Sequence, residues 1–199
     1  MSTLMDQFFY GGLVMQTAEP QQETVYVTPK KKPVYEFFKR FFDLTLSLIA
    51  MIPFALIYVC VAIAVKIEDG GPVIYSSVRY TKGGKAFKMY KFRSMCTGAE
   101  QMEGGVYCTK GDKRVTKVGK FIRATSIDEL PQLINILKGD MTIVGPRPER
   151  PEIAAQYEEV LPSFRLRLQV KAGLTGTAQI YGKYNTSAYD KLRLDLKSA

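Results

Sequence analysis

The stretch FFDLTLSLIAMIPFALIYVCVAIAV at residues 41–65 decides the architecture of this chain. Its 25 residues contain a single charged side chain, Asp43. As one helix it would be about 37 Å long, enough to cross a hydrocarbon core of about 30 Å with some tilt. It begins too late for a secretory signal, and no small-residue cleavage site follows it. The sequence therefore predicts a helix inserted into a membrane.

Pro53 lies near the middle of this stretch, where a proline removes one backbone hydrogen bond and kinks or breaks a helix. Each limb beside it would be about 18 Å long, which is too short to span alone. The pattern allows a kinked span or a re-entrant hairpin that enters and leaves by the same face. Lys and Arg residues flank the stretch at both ends, which favours a cytoplasmic position for both.

The composition restricts the chemistry. The 199 residues are 46% hydrophobic and carry a net charge of +9, which fits one domain with a tail or anchor and an anionic partner. Nucleic acid is disfavoured because no recognition motif accompanies the charge. The chain has no histidine and three cysteines without paired spacing, which excludes histidine-based triads and disulfide frameworks. A general acid or base must be a carboxylate, Lys, Tyr or Cys.

The remaining pattern predicts an α+β fold that is mostly helical with short strands. Residues 1–32 form a flexible tail in this interpretation, residues 33–66 the membrane helix and residues 67–199 a folded domain. Short strands are expected at residues 73–75 and 86–92, around the turn at Gly83-Gly84. Helices are expected at residues 130–137, ending at Gly139, and at residues 151–160. A loop is expected at residues 100–112, and turns with short strands at residues 172–184.

Two acidic residues, Asp128 and Glu129, stand side by side in SIDELPQL at residues 126–133. The Ser126-x-x-Glu129 spacing matches a capping box, and Pro131 moves the helix start towards Asp128, which can itself be the N-cap. Most acids in such positions are structural. The exposed N–H groups of a helix start can also hold a phosphate.

Cationic side chains near the dyad favour chemistry. Arg123 precedes it by five residues, and Arg147 lies in VGPRP at residues 144–148. Arginine forks bind phosphate, and the flanking prolines restrict the backbone of Arg147. Lys91 and Arg93 alternate along one face of a predicted strand. A carboxylate can attack phosphorus to form an acyl phosphate, and Mg²⁺ suits oxygen ligands. The combination predicts phosphoryl transfer with covalent catalysis.

These segments together resemble the bacterial sugar transferases, the monotopic polyprenyl-phosphate phosphoglycosyl transferases, over residues 39–196. The shared segments are KFRSM (91–95), RVT (114–116), TSIDELPQL (125–133), KGDM (138–141), VGPRP (144–148) and GLTG (173–176). The resemblance implies an enzyme on the cytoplasmic face of the cell (inner) membrane. It would transfer a sugar-1-phosphate from a UDP-sugar to polyprenyl phosphate, the first membrane step of exopolysaccharide, capsule or glycan synthesis.

The resemblance also implies residue roles. Asp128 would be the nucleophile that carries the phosphosugar, and it would help bind Mg²⁺. Glu129 would be its catalytic partner, assisting metal binding or activation of the acceptor phosphate. Residues 67–199 would be the cytoplasmic catalytic domain, and Pro53 matches the helix-breaking proline of the family's re-entrant hairpin. The residues expected to hold phosphates or shape the nucleotide site are Lys91, Arg93, Arg123, Pro146, Arg147 and Pro148.

The chain departs from the family in two places. Ser77 stands where many relatives carry Gln, and the sequence ends at Ala199, before the aromatic-rich segment and the final hydrophobic stretch of relatives. A small catalytic-core form, shortened at its C-terminus, is therefore expected. Two alternatives remain: an inactive truncated relative, and a membrane-anchored basic protein that binds anionic lipid or polymer.

Overall fold

A computed structural model describes residues 32–102, 111–182 and 187–196. Within them, helices alternate with two two-stranded sheets, and the predicted α+β class is confirmed. Apart from Lys32, the tail predicted over residues 1–32 lies outside the described residues. The same is true of most of the loop predicted at residues 100–112.

The membrane helix predicted from the sequence is the first helix, α1 (Pro33–Glu68). Its 36 residues make it about 54 Å long. Pro33 suits the first turn because an N–H at that position would have no partner within the helix. The helix ends where the Asp69 N–H donates to the Val65 carbonyl (3.0 Å). It is long and apolar enough to cross a membrane.

Pro53 lies inside α1, and helical backbone continues on both sides of it. The bend expected at Pro53 stays a prediction. Proline removes one backbone hydrogen bond and crowds the preceding turn, but its fixed φ near −65° is a helical value. The bonds of the neighbouring turns continue the helix across this position. The proline in the sequence therefore marks a place where α1 lacks one backbone hydrogen bond, and not the end of the helix.

One face of α1 packs against the rest of the protein. Its buried residues, at spacings of four and seven, are Asp43, Ser47, Phe54, Val61 and Val65. This spacing follows a single stripe along the whole helix. The opposite face exposes large apolar side chains, among them Leu48, Ile49, Ile52 and Leu56 at 59–73%. An exposed apolar face of this extent is typical of contact with lipid or a partner.

The predicted strands form a hairpin of β1 (Ile74–Tyr80) and β2 (Ala86–Phe92), as expected. The strands are antiparallel, with Tyr75 opposite Lys91. The connection requires positive φ angles at Gly83 (+72°) and Gly84 (+75°), which glycine adopts without steric cost. The hairpin places Lys91 near the end of β2.

The rest of the domain consists of short elements. In chain order they are α2 (Lys117–Ala124), a one-turn 3₁₀ helix (Ile127–Glu129), α3 (Gln132–Lys138), β3 (Met141–Val144), α4 (Pro151–Val160), a longer 3₁₀ helix (Pro162–Gln169), β4 (Ala172–Thr175), α5 (Thr177–Tyr181) and α6 (Ala188–Leu196). Strands β3 and β4 are parallel. The predicted helices are confirmed as α3 and α4, and Gly139 ends α3 with φ +89°. Helix α5 replaces some of the turns expected at residues 172–184, and α2 and α6 were not predicted.

The hydrophobic core joins α1 to the hairpin and to α3. Phe54 of α1 lies 6.0 Å from Phe92 of β2 between ring centroids, and Ile122, Ile136 and Met141 are almost fully buried in the same cluster. The apolar side chains of β2 and α3 thus share one packed interior. Close packing of this kind fixes the position of β2, which carries Lys91, relative to α3, which follows the acidic dyad.

A buried asparagine connects α3 to the hairpin. Asn135 Oδ1 accepts from the Tyr90 N–H (3.0 Å), and its Nδ2 donates to the Lys88 carbonyl (2.7 Å). Asn135 is fully buried, so both halves of its amide replace bonds that water cannot make there. This side chain sets the position of α3 relative to Lys91, one residue beyond Tyr90.

Candidate active site

The acidic dyad lies on a sharp turn between α2 and α3. Ser126 has φ +58°, the only positive φ among the described residues other than glycine, and the 3₁₀ turn that contains Asp128 and Glu129 follows it. The Ser126 side chain makes no capping bond, and Pro131 occupies the N-cap position of α3. The capping box and the N-cap role considered for Asp128 are therefore wrong, because a separate 3₁₀ turn intervenes before α3.

Glu129 holds two cations. Lys91 Nζ donates to Glu129 Oε1 (3.0 Å), and Arg147 donates through both terminal nitrogens, to Oε1 and to Oε2. Burial alone would raise the pKa of Glu129, but these hydrogen bonds and charges lower it to about 2. Glu129 is therefore ionised at physiological pH and fixes the directions of two side chains from distant segments.

The two cations respond oppositely to this arrangement. Burial lowers the pKa of Lys91, and the charge of Glu129 only partly opposes that shift. Burial also disfavours the charged form of Arg147, but its bonds to Glu129 outweigh this and raise the Arg147 pKa. Arg147 is therefore a cation at neutral pH. The pocket around Glu129 is thus positive, which suits a bound phosphate.

Asp128 differs from its neighbour. Its side chain is buried, with the residue 8% exposed, and the described residues provide no hydrogen-bond partner for its carboxylate. Burial raises its pKa above the ordinary value, and the charge of Lys91, then those of Arg123 and Arg147, partly opposes this. A more basic, unbonded carboxylate among cations is a suitable nucleophile towards an anionic phosphate.

The turn that carries Arg147 is fixed by close backbone packing. The Pro146 carbonyl accepts from the Gly173 N–H (2.8 Å), and a Cβ on Gly173 would lie 2.2 Å from Gly145 N. Arg167 Nη2 donates to the Arg147 carbonyl (2.7 Å). Sequence reasoning did not identify Arg167, which lies twenty residues away. Its only signal was its place in a run of alternating basic and apolar residues at 164–168.

A small cleft lies beside this turn. Its lining includes Pro146, Arg147 and Pro148 from the predicted site and Phe164 from the long 3₁₀ helix. Asp128 and Glu129 do not line it. Arg147 therefore contacts the dyad through Glu129 and also borders the cleft.

The other two predicted cations are placed differently. Arg123, in the last turn of α2, lies close enough to Asp128 to lower its pKa. Arg93 does not join the dyad, because its Nη1 donates to Asp69 Oδ2 (3.1 Å) and to Thr97 Oγ1 (2.7 Å). Strand β2 ends at Phe92, so Arg93 lies just beyond it, and the predicted alternation with Lys91 could not reveal Asp69 as a partner.

The donor set around the dyad fits a magnesium ion of limited protein ligation. Within the described residues, no three His, Cys, Asp or Glu side chains converge. Magnesium in proteins often takes only one or two carboxylates and completes its shell with substrate phosphate and water. Asp128 has its carboxylate oxygens available for this, whereas both oxygens of Glu129 already accept bonds from cations.

Comparison with known proteins identifies one family over most of the chain. The family model of bacterial sugar transferases matches residues 34–198. The chain is 42% identical over 158 residues to a UDP-N-acetylgalactosamine-undecaprenyl-phosphate N-acetylgalactosaminephosphotransferase of Aeromonas hydrophila, covering 79% of this chain and 37% of that protein. It is 48% identical over 145 residues to a UDP-glucose:undecaprenyl-phosphate glucose-1-phosphate transferase of Klebsiella pneumoniae, covering 73% and 31%.

A third relative is shorter. The exopolysaccharide production protein PSS of Rhizobium leguminosarum bv. phaseoli is 41% identical over 147 residues, which cover 72% of this chain and 74% of that protein. The chain spans about a third of the length of the first two relatives. The matched regions include the acidic dyad and the turn around Arg147. The chain belongs to the bacterial sugar transferase family.

Proposed function

We propose that the chain transfers a sugar-1-phosphate from a UDP-sugar to polyprenyl phosphate. Relatives are named for undecaprenyl-phosphate sugar phosphotransfer, and one for exopolysaccharide production. The observation that carries the proposal is the contrast within the dyad. Glu129 is bound by Lys91 and Arg147, whereas Asp128 is buried among the same charges without a hydrogen-bond partner in the described chain.

In the first step, a carboxylate oxygen of Asp128 attacks the phosphorus that bears the sugar. A bond forms between this oxygen and phosphorus, and the bond from phosphorus to the bridging oxygen of the diphosphate breaks. The electron pair leaves with UMP. Lys91 and Arg147 lie where they can stabilise the negative charge of the phosphate oxygens, as preorganised cations do in phosphoryl transfer.

In the second step, an oxygen of the polyprenyl phosphate attacks the same phosphorus. The bond to Asp128 breaks, the carboxylate is restored, and polyprenyl-diphosphate-sugar is released. Glu129 keeps Lys91 and Arg147 in position through both steps, and its low pKa keeps it ionised throughout. Arg123 contributes a further positive charge near Asp128.

Magnesium is the expected cofactor, held through Asp128 with Glu129 adjacent. When bound, it would supply positive charge to the phosphate oxygens. The contribution of the chain itself is the positioning of the carboxylates and cations described above.

We further propose that α1 enters and leaves the cytoplasmic face of the inner membrane by a re-entrant path. Arg40 donates to the Ile136 and Leu137 carbonyls (2.7 and 3.0 Å) near one end of α1. Near the other end, Glu68 accepts from the Lys117 and Val118 N–H groups (2.6 and 2.8 Å). Both ends of α1 thus contact one folded domain, which favours placing both on one side of the membrane.

Cysteine labelling tests this path. In a chain whose native cysteines are replaced by Ser or Ala, Val34→Cys and Ile67→Cys place one thiol before and one after the apolar stretch. An impermeant reagent added to sealed right-side-out or inverted vesicles should label both positions from the same side. Labelling of the two positions from opposite sides would establish a spanning helix.

The transfer reaction is tested with the full chain in membranes. Protein, Mg²⁺ and a panel of UDP-sugars are incubated with and without polyprenyl phosphate, and UMP and the lipid product are measured. We expect UMP stoichiometric with enzyme without acceptor, and continuous turnover with it. Asp128→Asn should abolish both, whereas Asp190→Asn, an exposed matched change on α6, should not.

Two results would count against the proposal. One is the absence of UMP release from folded protein with every UDP-sugar tested. The other is release that persists in Asp128→Asn at the rate of the unchanged chain. Binding of anionic lipid without any release would favour the alternative of a basic membrane-anchored binding protein.

A further inference from the structure

One face of β1 continues the candidate active site beyond Arg147. Tyr75, Ser77 and Arg79 alternate along the strand and therefore project to the same face. Tyr75 is paired with Lys91 in the hairpin register, so this is also the face that presents Lys91 to Glu129. The segment from Arg147 to Arg150 approaches the same side, since Arg150 Nη2 donates to the Tyr75 hydroxyl (3.0 Å).

Two polar side chains on this face, two positions apart along β1, have buried atoms without hydrogen-bond partners among the described residues. These atoms are Ser77 Oγ and Arg79 Nε. An arginine Nε–H can only donate, and a serine hydroxyl can donate to any acceptor in reach. Buried polar groups in proteins are nearly always hydrogen-bonded, and an exception requires an explanation. Two buried donors on one strand face without an acceptor are explained by a missing group that carries acceptor oxygens.

The charge around Arg79 specifies the kind of acceptor. Burial, followed by the charge of Arg150, lowers the pKa of Arg79 to about 10, and Arg147 contributes in the same direction. Glu149 opposes this shift, but its carboxylate already lies 3.3 Å from Lys191 Nζ and 3.6 Å from Arg167 Nη1. None of the ion pairs within the described residues includes Arg79. The missing group is therefore an anion.

The contacts of Arg150 neutralise its positive charge only in part, so it can also attract this anion. Its Nη2 donates both to Tyr75 and to Glu100 Oε1 (3.0 Å). The Glu100 side chain is 54% exposed, so solvent screens much of its attraction. Arg150 thus adds a positive charge beside Arg79 that its surface partner neutralises only in part.

We propose that Ser77, Arg79 and Arg150 form a phosphate-binding position, separated from Asp128 by Arg147. This inference rests on the proposed function and specifies how it is divided in space. Arg147 contacts Glu129 and lies near enough to Arg79 to lower its pKa, so the two positions would hold neighbouring phosphate groups. The phosphorus that reacts lies at Asp128, and a second phosphate, from the nucleotide or from the lipid, lies at Arg79.

Binding measurements test the position without relying on turnover. The full chain, in detergent or nanodiscs, is titrated calorimetrically with UMP and with inorganic phosphate. Arg79→Gln should raise the Kd for UMP about ten- to a hundredfold, and Ser77→Ala should raise it about tenfold, as expected for hydrogen bonds to a charged group. Arg193→Gln, the same charge change at an exposed position of α6, should leave the Kd unchanged.

The serine variant separates binding from folding. Ser77 Oγ has no partner in the described chain, so its removal should leave the free energy of unfolding equal or higher. Weaker binding in Ser77→Ala with undiminished stability therefore identifies a ligand contact. Unchanged Kd values for UMP, inorganic phosphate and polyprenyl phosphate in both Ser77→Ala and Arg79→Gln would overturn the proposal, as would no binding of any of these by the unchanged chain.

Comparing the binding of UMP with the binding of polyprenyl phosphate identifies the source of the phosphate. If UMP binding and acceptor-free UMP release weaken in Arg79→Gln, the position serves the nucleotide. If only polyprenyl phosphate binding weakens, it serves the lipid phosphate. If the chain transfers no phosphosugar but its UMP binding depends on Arg79, the phosphate position stands and the proposed reaction fails.

Discussion

Two regions of the molecule bury an aspartate beside arginines, and they use it differently. At the dyad, Asp128 has no hydrogen-bond partner in the described chain, while its neighbour Glu129 holds Lys91 and Arg147. At the C-terminal helix α6, Asp195 is 1% exposed and lies 2.7 Å from Arg167 Nη2. Burial raises the pKa of both aspartates.

Because burial raises the pKa of both aspartates, the pKa does not separate a structural from a reactive carboxylate. The groups that contact each carboxylate do. The Asp195 carboxylate forms an ion pair with Arg167, although neither of its oxygens makes a hydrogen bond within the described residues. Asp128 forms no such ion pair with a described residue. Arg167 Nη2 also donates to the Arg147 carbonyl. That pair connects α6 to the turn of the candidate site. Asp128 is surrounded by charges that are committed to another residue, which leaves its oxygens available to an incoming group. Availability of the buried carboxylate, more than its pKa, is the feature that indicates chemistry.

The largest expected effect on stability follows from breaking the pair at α6. Asp195→Ala leaves Arg167 buried without its closest anion, which should lower the free energy of unfolding by about 3–5 kcal/mol. Chemical denaturation of the full chain in detergent measures it. The exposed control Glu159→Ala, in the last turn of α4, should change stability by less than about 0.5 kcal/mol. A loss no larger than that of the control would show that the buried pair contributes little.

Glu129→Gln should produce the next effect, on activity. The amide cannot hold Lys91 and Arg147 as an ionised carboxylate does, so both cations lose their fixed positions. We expect phosphosugar transfer to slow about 100- to 1,000-fold, less than the complete loss in Asp128→Asn. The measurement is kcat/KM for the UDP-sugar. A rate within threefold of the unchanged chain would mean that Glu129 does not organise the site.

Removal of the buried amide at Asn135 should have a smaller effect. Asn135→Ala leaves the Tyr90 N–H and the Lys88 carbonyl without their partner, which should lower the free energy of unfolding by about 1–3 kcal/mol. Thermal unfolding monitored by circular dichroism tests this. Unchanged stability would indicate that water replaces the amide between α3 and the hairpin.

The sequence predicts the contacts that short local motifs determine, and it does not predict those between distant segments. The dyad, Lys91 and Arg147 were identified because short motifs with rigid turns restrict local geometry. Arg93 was assigned to the same site because strand alternation fixes a face, but its actual partner, Asp69, depends on how a loop folds back. The pairing of Arg167 with Asp195 joins residues 28 positions apart, and no local pattern specifies it.

The prediction of secondary structure was wrong where two local signals competed. The spacing of Ser126 and Glu129 matched a capping box, but the left-handed backbone at Ser126 starts a separate 3₁₀ turn. Pro53 lies within α1 and not at its end, because its fixed φ near −65° fits a helix. At Ser126 the preference for a capping box is worth only about 1 kcal/mol, and the observed turn replaces it.

The smallest expected effect is a gain in stability on removing the charge of Asp128. Burial raises the pKa of Asp128 above 3.8, its ordinary value, despite Lys91, Arg123 and Arg147. The ionised carboxylate is therefore less favourable in the folded protein than in the unfolded chain, and at pH 7 it lowers the free energy of unfolding. Below pH 3.8 both states are protonated and this penalty disappears.

Asp128→Asn resembles the protonated residue at every pH. Without divalent cations, it should be more stable than the unchanged chain at pH 7. The difference should shrink as the pH falls and should be absent below 3.8, where both states are protonated. A variant less stable at pH 7 would mean that the ionised Asp128 stabilises the fold, as a structural ion pair does. A gain would mean that the fold tolerates an unfavourable buried charge where the proposed chemistry requires one.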